Sequence, residues 1–141
     1  MMNKTPYLLT CLLCAMLSAP SLAKDKPRSL IFSCESNDKM IEFMRSDRHY
    51  DLNITNLKDS SVVFTESCTK KNLHGNRYFR QAVTGNMLTC KNDDVRFTLF
   101  DYMNEENEVV KSTGIDIQQA EKKSTFYCNK NTISFIHEFV Q

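Results

Sequence analysis

Four cysteines, Cys34, Cys68, Cys90 and Cys128, constrain this chain more than any other feature, because each sits at the end of a short β-forming run and beside a polar turn. Phe32-Ser33-Cys34 is followed by Glu35–Lys39 and then Met40–Phe43. Leu88-Thr89-Cys90 is followed by Lys91–Asp94 and then Val95–Phe97, and Phe126-Tyr127-Cys128 by Asn129–Thr132 and then Ile133–Phe135. Cys68 closes the run Val62–Ser67. An even set of cysteines in a small chain, with no Cys-x-x-Cys pair, is a disulfide framework and not a zinc site. Cys34 to Cys68 and Cys90 to Cys128 span similar lengths, as two copies of one four-strand unit would. Copies would pair Cys34 with Cys68 and Cys90 with Cys128, which is the expected connectivity. The competing pairing, Cys34 with Cys128 and Cys68 with Cys90, would tie together the ends of a closed barrel.

The framework implies an oxidising compartment, and the N-terminus agrees. Lys4 precedes an apolar run, Tyr7–Leu17, and Ser21-Leu22-Ala23 places small residues before a cut. This is the pattern of a cleavable secretory signal over 1–23. The run falls short of the roughly 20 residues a bilayer demands, and no later stretch comes closer. Residues 24–141 are thus expected to be one exported, disulfide-stapled domain, periplasmic or secreted. Of the 18 basic and 17 acidic side chains only Lys4 lies in the signal, so the remainder is balanced. That balance excludes a general nucleic-acid binder, whose affinity needs a basic excess.

Period-two alternation dominates the exported part of the chain. Met40–Met44, Tyr50–Ile54, Val95–Leu99 and Ile133–Phe135 all alternate, with Asn, Asp, Ser and Lys clusters between them. The expected fold is all-β, a small antiparallel barrel or two-sheet sandwich of about eight strands. Met40 and Met44 oppose Ile41 and Phe43, while Phe100 and Tyr102 oppose Phe97 and Leu99, so either both faces are covered in places or one is a contact surface. His137 falls on the inward face of a terminal strand, Ile133–Phe139.

Catalytic patterns are missing. No Gly-x-Ser-x-Gly, phosphate-binding glycine loop or His-x-x-x-His run occurs, and the cysteines are taken up by disulfides. No cofactor and no metal are expected. Lys70-Lys71-Asn72-Leu73-His74-Gly75-Asn76-Arg77-Tyr78-Phe79-Arg80 instead concentrates positive charge beside aromatics, directly after Cys68. Acidic residues gather over Asp101–Glu108. A basic loop held at its base by a disulfide loses little entropy on docking, and Arg with Tyr is typical of binding hot spots. Lys70, Lys71, His74, Arg77, Tyr78 and Arg80 are therefore the candidate binding residues, for a protein partner with an acidic cleft or patch.

Phe32-Ser33-Cys34 and His74-Gly75-Asn76-Arg77-Tyr78 resemble motifs of the bacterial periplasmic inhibitors of chicken-type lysozyme. Those small exported barrels open with an aromatic-x-Cys strand and carry a Ser-Gly-x-x-Tyr-like loop. Here His74 replaces the serine, no Trp-x-Lys-Gly segment follows, and the four-cysteine layout exceeds the usual pattern. The resemblance implies that Gly75 to Tyr78 face the enzyme, whose cleft works with two carboxylates. The expected function is non-enzymatic binding and inhibition of another protein, of lysozyme-inhibitor or toxin-immunity type. The alternatives are a nuclease-like hydrolase using His74 and His137 with Lys70 or Lys71, and a secreted effector or surface module.

Overall fold

A computed structural model describes residues 28–104 and 110–141; the expected signal over 1–23 lies outside them. Ten strands run β1 (Ser29–Ser36), β2 (Lys39–Arg45), β3 (His49–Asn56), β4 (Val62–Thr69), β5 (Leu73–Arg80), β6 (Val83–Lys91), β7 (Val95–Asn104), β8 (Val110–Gln119), β9 (Lys122–Tyr127) and β10 (Lys130–Ser134). Short 3-10 turns occupy Lys70–Asn72 and Ile136–Phe139. The all-β expectation holds, and of its two forms the molecule is the two-sheet sandwich. Each sheet has five strands, in the orders β10-β1-β2-β3-β4 and β5-β6-β7-β8-β9, and every neighbouring pair is antiparallel.

Alternation decides what each strand buries, since successive side chains point to opposite faces. In the first sheet Phe43 and Leu52 stand in register with Phe32, and Ile41 and Ile54 with Cys34. In the second, Leu88, Leu99 and Ile115 form one inward row, with Cys90, Phe97 and Ile117 beside it. All of these are buried. The two faces meet where Phe43 packs edge-to-face on Phe97, with centroids 5.6 Å apart. A bulge between Leu30 and Phe32 in β1 turns Ile31 and Phe32 both inward, as an extra unpaired residue allows.

The two sheets repeat one plan. β1 to β4 correspond in order to β6 to β9, and β10 flanks β1 as β5 flanks β6. Cys34 in β1 matches Cys90 in β6, and Cys68 near the end of β4 matches Cys128 just after β9. The bonds are Cys34–Cys128 and Cys68–Cys90, with Cα–Cα distances of 5.5 and 6.2 Å. This corrects the expected pairing within each copy. β2 and β3 lie between β1 and β4, so at about 4.8 Å per strand Cys34 and Cys68 are far beyond the roughly 7 Å limit for a bridge. Each bond therefore crosses from the opening strand of one copy to the close of the other.

Glycine supports the outer face of the second sheet at two positions. Gly85 stands in register between Tyr78 and Tyr102, and a Cβ there would lie 2.6 Å from the Tyr102 ring. Gly114 stands between Phe100 and Tyr127, where a Cβ would come within 2.7 Å of the Phe100 ring. The rings from both sides lean over the glycine backbone, and Phe100 is only 4% exposed although it faces outward.

Candidate functional site

The copies differ in length, and the difference opens a site. β7 and β8 are 10 residues each, against 7 and 8 for their counterparts β2 and β3. Past the last apolar row the inward face of the second sheet continues, but its side chains turn polar. Arg77, Asn86, Asp101 and Thr113 stand in register across β5 to β8, and Phe79, Thr84, Met103 and Lys111 form the next row. An open cleft of about 430 Å³ lies over these rows.

Asp101 is central: Thr113 Oγ1 donates to its Oδ1 at 3.2 Å, and Lys111 Nζ lies 3.5 Å from the same oxygen. Arg77 is exposed and forms no ion pair among the described residues. Phe79 (70% exposed) and Met103 (39%) give the cleft an apolar rim. His137 enters from the Ile136–Phe139 turn. That turn is fixed by Ile136, fully buried, by Phe139 edge-on to Tyr50 at 6.1 Å, and by Gly75, where a Cβ would collide with the Phe139 carbonyl. Arg77 and Lys111 outnumber Asp101, so the cleft favours anionic groups.

The basic segment expected as a loop is a 3-10 turn followed by an edge strand, and this corrects the sequence reading. Gly and Asn favour turns, but neither Gly75 nor Asn76 takes a positive φ here, and the segment pairs with β6 throughout. Alternation then divides the six candidates. Lys70 and Lys71 are exposed on the turn, which Asn72 ties down through Asn92 at 3.0 Å; Asn92 in turn reaches Glu66 and the Ser67 carbonyl. His74, Tyr78 and Arg80 project from the outer face, where Tyr78 packs on Tyr102 at 5.1 Å. Arg77 alone of the six lines the cleft. His137 is exposed on its turn and not on the inward face of a strand, because β10 stops at Ser134.

Sequence reasoning missed Asn86 and Lys111, which line the cleft with Arg77. The signal was present in the Leu99, Asp101, Met103 alternation, an inward face too long for the opposite sheet to cover. Of the acidic cluster Asp101–Glu108, residues 105–109 lie outside the described residues.

Elsewhere three groups depart from their ordinary range, and hydrogen bonds from Lys39 and Ser61 lower the carboxyls of Asp38 and Asp59. The Tyr102 hydroxyl is pushed above the ordinary tyrosine range, chiefly by burial, with the charge of Asp116 and the neighbouring Tyr78 adding to it. Among the described residues no three His, Cys, Asp or Glu side chains come together as a metal site, and no helix is long and apolar enough to cross a membrane. No family model, curated protein or solved structure matches the chain.

Proposed function

We propose that this chain is an exported, non-enzymatic binding protein that seats its cationic cleft on an acidic patch of another protein and blocks it. Export rests on the N-terminal pattern and on the two disulfides, which belong to oxidising compartments. The observation that carries the binding reading is the cleft itself. Arg77 and Lys111 stand with His137 over a hydrogen-bonded polar floor, and exposed Phe79 and Met103 offer the apolar contact that anchors interfaces. A lysozyme inhibitor is the most specific form, since a lysozyme cleft presents two carboxylates; an immunity protein against a periplasmic toxin is the other.

The hydrolase alternative has weaker support. His74 lies on the outer face of β5 and His137 beside the cleft on the inner one, so they do not form the converging acid–base pair that such chemistry requires.

The test is the double variant Arg77→Ala and Lys111→Ala, assayed for binding to chicken-type lysozyme and for inhibition of its lytic activity. Both side chains are exposed, and a surface ion pair such as Lys111–Asp101 is worth about 0–1 kcal/mol. The thermal transition should therefore move little while affinity falls about tenfold or more, with a smaller loss at high salt. Wild type that ignores lysozyme removes the inhibitor form. Hydrolysis of RNA, peptide or glycan by wild type, abolished in His74→Ala, overturns the binding class altogether.

A further inference from the structure

We infer that the partner contributes an extended acidic segment that adds to β5 as a sixth strand of the second sheet. This rests on the cleft reading and specifies what enters the cleft. β5 is an outer strand, and among the described residues its main chain bonds to β6 alone. The pairing runs from Leu73–Cys90 to Arg80–Val83 without a shift, and the strand contains no proline. The free edge is thus regular, with N–H and C=O groups available as in other cases of strand addition.

The C-terminal turn covers the inner side of β5 at Gly75, but Asn76, Arg77, Phe79 and Arg80 are all exposed. Charge selects the occupant. A basic edge repels another basic strand, the usual way of keeping edges apart, and for the same reason accepts an acidic one. Continuity selects the position, because Arg77 and Phe79 belong both to this edge and to the cleft.

Alternation then dictates the side chains of an antiparallel occupant. An acidic residue faces Arg80 on the outer side. The next residue, apolar, faces Phe79 at the cleft rim. The one after it faces Tyr78, and the fourth, acidic, faces Arg77 in the cleft. The recognised segment is acid, apolar, any, acid, in extended form.

The probe is the blocked peptide Thr-Glu-Val-Thr-Glu-Thr, with two analogues N-methylated on alternate residues, one on the odd and one on the even positions. Strand addition points only one of the two sets of peptide N–H groups at β5. One analogue should bind about tenfold more weakly than the parent while the other matches it, and the parent should slow hydrogen exchange at alternate amides between Asn76 and Arg80. Equal binding of both analogues overturns the inference, as does a parent peptide that does not bind or that protects amides elsewhere. The cleft reading fails separately, when Arg77→Ala with Lys111→Ala leaves lysozyme binding and inhibition unchanged.

Discussion

Two kinds of residue in this molecule sit in conformations or surroundings that carry a measurable cost. Asn37, Ser60, Gln81, Ala120 and Asn131 have positive φ, and the Ala120 value is 52°. Left-handed backbone disfavours any residue with a Cβ by about 1 kcal/mol, least of all asparagine. Ala120 opens the two-residue turn from β8 to β9 and has no side-chain polar group to offset that cost. Ala120→Gly should raise stability by about 0.5–1 kcal/mol, read as a higher midpoint in chemical denaturation. Gly85→Ala should do the reverse, because its new Cβ meets the Tyr102 ring and the Asp101 carbonyl. Tyr102 itself makes stability depend on pH. Its folded pKa is raised, so above the unfolded value of about 10 the unfolded chain releases a proton that the folded one keeps. Its contribution is complete below that value and disappears as pH rises through the folded pKa. Spectrophotometric titration should find one late-ionising tyrosine, and Tyr102→Phe should remove both it and its share of the alkaline destabilisation.

At the scale of the elements, most strands are legible, but about eight are expected where ten form, and β5 reads as a loop. Period-two runs such as Met40–Met44 and Val95–Leu99 name their own buried faces, because one step along a strand reverses the side chain. That is why Ile41, Phe43, Phe97 and Leu99 share the buried face, while Phe100 is covered on the other side. The basic segment was misjudged because charge argues for exposure, and an edge strand exposes its side chains as fully as a loop does. The cleft was hidden for a related reason. Its polar rows continue an inward alternation, and only the shorter strands of the opposite sheet show that nothing covers them. Arg77 could be singled out by composition, but Asn86, Asp101 and Lys111 become its neighbours only through the register of four strands. Shortening the β7–β8 hairpin should therefore abolish partner binding and leave the Phe43–Phe97 core intact, as reported by ring-current shifts of the two phenylalanines.

Across the whole molecule, a repeated five-strand plan is closed by two bonds that exchange partners between the copies. Cys34–Cys128 encloses a sequence separation of 94 and Cys68–Cys90 one of 22, and the second loop is nested inside the first. In the chain-entropy model such loops contribute about 4–5 and about 3 kcal/mol. Non-reducing peptide maps should yield the Cys34–Cys128 and Cys68–Cys90 fragments, and a fragment joining Cys34 to Cys68 would refute the crossed plan. Nesting has another consequence. A single backbone cut anywhere between Cys34 and Cys128 leaves two pieces that a disulfide still joins. A molecule wired in this way can be nicked by a protease in its exposed turns and still keep both sheets, and the cleft between the second sheet and the C-terminal turn, in one covalent body.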